Sequence, residues 1–331
     1  MKQRLDEIGI MRAILILAIV IGHAFAIYGV NPGWKRPEGI QDIPEYAWVN
    51  PVFISFTLQA FVFVSGYVLA LYWGGYRKGF IFKKFKRLIL PTLIFGLAYW
   101  AIIEDFRNID SPFDVVVHLI NGPGHLWFLP MLFDCFVIFV GFMWLKEKIA
   151  LPIALWVIGI VLLSVGSPIM PSLMRINSGC SYFIFFIAGY IAFGYRDRLM
   201  RSGRGFFIST IALTCLLILI KLHLRHMDAT MIITVATMIN NILLGLSGSF
   251  MTLLLCFRLQ HFSSLVIIGS WSGFFGVYLI HQFILRFLYH KTLLFAQFDS
   301  GAPFVALLIT LVFSYLIAEV LLRFPLTRKL I

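Results

Sequence analysis

Apolar residues in this chain do not alternate with polar ones at the period of a soluble helix or strand. They run almost unbroken, and polar positions gather in the short segments between the runs. Ten runs can be read, at roughly 10–30, 50–73, 88–104, 125–145, 151–168, 178–195, 206–221, 231–257, 265–290 and 302–322, each near the ~17–25 residues that a helix needs to cross a bilayer. The pattern predicts an all-α fold, a polytopic transmembrane helical bundle of about ten spans. The longest connectors, 31–49 and 105–124, carry the breakers of ordered turns: Asn31-Pro-Gly, Pro37, Pro44, Ser111-Pro and Asn121-Gly-Pro-Gly. Glu104, Asp105, Asp110 and Asp114 add charge to the second. No connector is long enough to fold alone, so residues 1–331 read as a single integral membrane domain. No internal repeat is evident, which weighs against the repeated halves of many transporters.

Composition agrees. The chain is 60% hydrophobic and 13% charged, against about 25% charged in soluble domains. Its mean hydropathy is +0.93. The net charge of +12 is explained by where it falls, so it is no sign of nucleic-acid binding. With the N-terminus inside, 19 of the 27 Lys and Arg lie on the inner side, from Lys2, Arg4 and Arg12 through the clusters 77–87 and 196–204 to Arg323, Arg328 and Lys329. The positive-inside rule then places both termini in the cytoplasm, as an even span count requires. The first run is followed by no small-residue cleavage site and reads as a retained helix.

Ionisable residues inside the runs carry the candidate chemistry, because placing them in hydrocarbon is costly. Arg12 and His23 are the foremost. Eleven residues apart, they are about three turns plus 20° apart around the helix and about 16 Å apart along it. That suggests a cation that meets an anion at one membrane surface and a histidine for proton chemistry further in. Asp134, in the fourth run, needs a partner, and Glu319 with Arg323 has the spacing of a local ion pair. The segment 77–87, with Lys83, Lys84, Lys86 and Arg87 among aromatics, suits both anionic lipid and a polyphosphate. Cys135, Cys180, Cys215 and Cys256 match no metal or disulfide spacing and read as small buried hydrophobes. His223 and His226 lack further ligands, so no metal is expected. No Ser-His-Asp arrangement or carboxylate pair stands out.

Seven segments together resemble the acyltransferase-3 family of integral membrane O-acyltransferases: Arg12–His23, Phe61-Val-Phe-Val-Ser-Gly-Tyr67, Phe82–Pro91, His125-Leu-Trp-Phe-Leu129, Phe185–Tyr190, Ser272–His281 and Arg323–Arg328. The resemblance runs nearly end to end. It implies transfer of an acyl group, acetyl by default, from cytoplasmic acyl-CoA to a hydroxyl of an extracytoplasmic or lipid-linked glycan, with His23 as general base. It implies Arg12, Lys83 and Arg87 as holders of the coenzyme phosphates. His125, Trp127, Ser65 and His281 would then serve the acceptor. Partners would be acyl-CoA, a glycan or glycolipid and membrane lipid, in a bacterial inner membrane; self-association is left open. Two positions depart from the family pattern. Gly9 stands where an Asp is usual, with Asp6 one turn earlier, and Lys83 stands where many members have a second Arg. The alternative is a multi-pass transporter in which His23, Asp134, His281 and Glu319 relay protons without covalent chemistry.

Overall fold

The computed structural model describes residues 5–28, 34, 36, 40, 42–104, 111–291, 298–325 and 327–329. Lys2, Arg4, Asn31, Pro37, Asp105 and Asp110, named above, lie outside them. Among the described residues there is no strand. The helices are α1 (Asp6–Ala24), α2 (Val49–Phe53), α3 (Thr57–Tyr72), α4 (Phe80–Ile102), α5 (Pro112–Asn121), α6 (Phe128–Lys148), α7 (Ile153–Val165), α8 (Ile176–Gly194), α9 (Arg196–Met200), α10 (Arg204–Leu224), α11 (Met231–Leu259), α12 (Ser263–Gly269), α13 (Phe274–Lys291) and α14 (Ala302–Arg323). Local chemistry sets several starts. Ser111 caps α5 by accepting from the Asp114 amide, with Pro112 in the first turn. Thr230 caps α11 through the Ile233 amide.

Among the described residues, eight helical segments are long and apolar enough to span a membrane, or nine when α12 and α13 count as one broken span bent by 70°. Two of the ten expected runs therefore look different. The run 151–168 yields α7, only 13 residues. That is about 20 Å of helix, short of the ~30 Å hydrocarbon core. Pro152 precedes it, and Gly166-Ser-Pro168 stops it. The run 265–290 breaks between Gly269 and Phe274, where Trp271 folds over Gly273 and gives its indole N–H to the Glu319 carboxylate. The partner found for Glu319 is thus Trp271, not Arg323. Cys135, Cys180 and Cys256 are buried as expected, but Cys215 is exposed. It lies on α10, whose surface is mostly open and apolar, as suits a helix that faces hydrocarbon.

The chain divides into two compact units. The first comprises Met1–Val64 and Gly194–Val320. At its centre is α1, packed against α2, α11, α12 and α13, with Met11, Leu15, Val20 and Ala24 all but fully buried. Gly9 allows the closest of these approaches. A Cβ there would lie 2.5 Å from the Gly269 carbonyl oxygen, so an Asp has no room at this position. Near the same end of α1, the fully buried Glu7 accepts two hydrogen bonds from Arg196, at 2.7 and 3.2 Å. The second unit comprises Ser65–Phe193 and Leu321–Ile331. Its core is aromatic: Phe136 and Phe139 of α6 pack edge to face or tilted on Phe186 and Tyr190 of α8, and Phe142 meets Phe183 edge to face. Gly66 of α3 sits against the Phe186 carbonyl, and Gly179 of α8 against Asp134 of α6.

Candidate active site

His23 occupies the last turn of α1 and is half-buried. A helix leaves its last carbonyls without intrahelical partners. Here side chains from other helices take two of them, on either side of His23. Asn50 donates to the Gly22 carbonyl at 2.7 Å, and the Tyr289 hydroxyl donates to the Ala24 carbonyl at 2.6 Å. Gly22 lets α2 come this close, since a Cβ there would strike Ile54. Below and around this turn lies an apolar layer of Phe25, Ile27, Tyr28, Trp34, Leu285, Tyr289 and Ala302. The backbone on either side of His23 is thus held by two hydrogen bonds and by packing.

The ring of His23 meets that of His281, which α13 brings in fully buried. His23 Nδ1 and His281 Nε2 are 2.9 Å apart. The ring centres are 5.2 Å apart and the planes differ by 7°. That is about the longest centre-to-centre separation a 2.9 Å N···N distance permits. The two nitrogens must therefore lie on the line between the centres, and the rings meet edge to edge in nearly one plane. On its other side, His281 Nδ1 faces the carbonyls of Val277 and Tyr278, at 3.1 and 2.8 Å. Trp34 lies against His23 at 5.8 Å with an interplanar angle of 27°. The Arg286 guanidinium sits 4.5 Å from the centre of the Trp34 ring, within cation–π range. Among the described residues, His23 Nε2 makes no hydrogen bond.

The remaining expected site residues fall as follows. Arg12 is exposed on α1, eleven residues before His23 in the same unit. Ser65, Lys83, Arg87, His125 and Trp127 belong to the second unit. Lys83 and Arg87 are exposed on α4. The cation that α4 turns inward is Lys84, whose ammonium lies 3.8 Å from the centre of the Phe136 ring. Ser65 is half-buried on α3. His125 is buried in a 3₁₀ turn, Gly124–Trp127, with its ring 6.0 Å from Tyr99 and edge-on to it. Trp127 is half-buried beside Tyr182. Asp134 is buried, with no hydrogen bond to Oδ2 among the described residues.

Of the expected set, then, the structure brings His23 and His281 into direct contact. Sequence reading did not single out Trp34, Arg286, Asn50 or Tyr289 around them. Arg286 was visible as a charge five residues past His281 in an apolar run, and such a charge is itself a pointer. Trp34 lies in a connector, where nothing in the pattern marks it.

A family model described as an acyltransferase domain matches residues 5–322. No curated protein and no solved structure matches the chain.

Proposed function

This chain belongs to the acyltransferase-3 family, and from that premise we propose that it moves an acyl group, acetyl by preference, from cytoplasmic acyl-CoA to a hydroxyl of an extracytoplasmic or lipid-linked glycan. One observation carries the assignment of the base. His23 holds one ring nitrogen against His281 and leaves Nε2 without a hydrogen bond among the described residues. A histidine in that state can take a proton.

In the proposed reaction the acceptor hydroxyl attacks the thioester carbonyl while His23 Nε2 takes its proton. The C–S bond breaks and the coenzyme leaves as a thiolate. The imidazolium returns the proton to sulfur, which leaves an O-acyl ester, free coenzyme A and a neutral histidine. Arg12, Lys83 and Arg87 bind the coenzyme's phosphates. Their charge suits phosphate, and arginine adds a two-pronged fork that lysine lacks. On α1 the Arg12–His23 separation of about 16 Å leaves room for the extended pantetheine arm between phosphates and thioester. The enzyme sits in a bacterial inner membrane.

The test uses membrane vesicles that carry the protein, supplied with acetyl-labelled acetyl-CoA. Label is followed into glycan and glycolipid fractions for wild type and His23→Ala at matched protein level. Transfer by wild type and its loss, by about 10²-fold or more, in His23→Ala is the expected result. Equal transfer by both proteins rejects His23 as base. No transfer to any fraction, with longer acyl donors also tried, rejects the donor.

A further inference from the structure

We propose that His281 is a positioning residue that fixes the proton of His23 on Nδ1 and so keeps Nε2 bare as the base. This rests on the reading of His23 as the base of acyl transfer. The argument is one of donors and acceptors. A neutral imidazole has one of each. His281 Nδ1 faces two backbone carbonyls, which only accept, so the Nδ1 of His281 carries the hydrogen. The ring is fully buried, and a second proton would place a charge there at high cost. Its Nε2 is then an acceptor. The atom in line with it is His23 Nδ1, which must therefore donate. A proton on His23 Nδ1 leaves the lone pair on Nε2.

The geometry favours a strong bond of this kind. The rings are nearly coplanar and the nitrogens lie on the line of centres, so the N–H of one points along the lone pair of the other. The arrangement follows the general logic of an oriented base, in which a third group selects the tautomer and steadies the imidazolium that forms. Here a neutral histidine takes the place usually held by a carboxylate. It is itself oriented by the carbonyls of its own helix, one turn back. When His23 gains a proton on Nε2, its Nδ1–H becomes a charged donor and the bond to His281 strengthens. His281 thus acts through His23 and does not touch the substrate.

Two variants and one spectroscopic measurement test this. His281→Gln keeps an amide oxygen that can accept near the position of Nε2. His281→Leu keeps bulk and removes the acceptor. In the vesicle assay at matched protein level, we expect His281→Gln to stay within about tenfold of wild type and His281→Leu to fall by about 10²-fold or more. Nitrogen-15 NMR of histidine-labelled protein, with the His23 signals assigned by their absence in His23→Gln, reads the tautomer directly. Expected is an Nδ1–H, Nε2-bare ring in wild type and in His281→Gln, and a ring that carries its hydrogen on Nε2 in at least part of His281→Leu. A wild-type His23 with hydrogen on Nε2 overturns the proposal, as does equal activity of the Gln and Leu variants. If no acyl transfer is found with wild type, the reading of the base has failed, and the tautomer result still decides what His281 does to His23.

Discussion

The two units of this chain hold their helices in different ways. In the first, side chains reach across to backbone carbonyls far along the chain: Asn50 to Gly22, Asn240 to Leu217, Tyr289 to Ala24 and Lys221 to Ser55 in the turn before α3. In the second, a mesh of phenylalanines on α6 and α8 is added to two such bonds, Ser164 to the Ser181 carbonyl and Arg175 to the Asn121 carbonyl, while glycines mark close backbone approach in both units. The difference bears on function. An aromatic mesh fills space but tolerates rotation of each ring about its contacts. A hydrogen bond to a named carbonyl fixes direction as well as distance. The base proposed here would need the second kind of support to meet a thioester and a hydroxyl, and His23 sits between two such bonds.

The largest effect that would probe this contrast is expected at Gly66. A Cβ there would collide with the backbone carbonyl of Phe186, which no rotamer change can relieve. Gly66→Ala should cost about 4 kcal/mol or more and remove most folded protein, as seen by loss of the monodisperse peak in detergent. Gly141 of α6 has open space where its Cβ would be. Gly141→Ala should raise the melting temperature slightly, by the ~1 kcal/mol helix preference for alanine. Equal melting of the two variants would mean that the second unit is not held by close backbone approach.

Next in size is Glu7→Ala in the first unit. The carboxylate is fully buried and takes both hydrogen bonds from an Arg196 side chain that is 24% exposed. Loss of one partner of such a pair costs about 3 kcal/mol. The variant should lower the detergent melting temperature, and Glu7→Gln should recover part of the loss. A neutral outcome for Glu7→Ala would show that the polar ties of this unit are not what holds α1.

A smaller effect, in binding and not in stability, is expected at the cations that the proposed function assigns to the coenzyme. Arg12→Ala and Arg87→Ala should each raise KM for acyl-CoA about tenfold, with kcat nearly kept, as for contacts made equally in ground and transition states. The inward Lys84, lodged between Phe80 and Phe136, should change stability more than KM. If Arg12→Ala and Arg87→Ala leave KM unchanged, both side chains serve only to reach lipid headgroups.

Much of the architecture was legible in the run pattern. Long apolar stretches with charged ends leave helices as the only open structure that satisfies the backbone in lipid, and the helices follow the runs closely. Two failures have local causes. Around α7, prolines and a glycine shorten a run that is apolar enough but not helical for long enough. Around α12 and α13, Trp271 at the break meets a carboxylate 48 residues away, which no local pattern reports. The site divides similarly. His23 stood out because a histidine in an apolar run is costly. Its pairing with His281, 258 residues later, is a property of packing, as is the choice of Lys84 over Lys83 as the inward cation. Gly9, which departs from the family's usual Asp, is explained by the approach of Gly269 and by nothing in its own neighbourhood of the chain.

The smallest effect is expected at His125, and it cuts most directly between the units. By sequence, His125 and His281 were equals: each a histidine at the edge of a recognisable motif, each assigned to the acceptor. By structure they differ. His281 brings a ring nitrogen to 2.9 Å from that of another titratable ring, whereas His125 is 5% exposed and lies edge-on to Tyr99. Phenylalanine can keep that edge-to-face contact, which is worth about 0.5–1.5 kcal/mol. Because the His23–His281 pair is left as it is, His125→Phe should keep acyl transfer within about threefold of wild type, less than 1 kcal/mol in the barrier. The same substitution at His281 removes the acceptor for His23 Nδ1 and should cost about 10²-fold. Should His125→Phe instead raise KM for the glycan acceptor tenfold with KM for acyl-CoA unchanged, the buried ring must open to the substrate. His125 would then be an acceptor-binding residue.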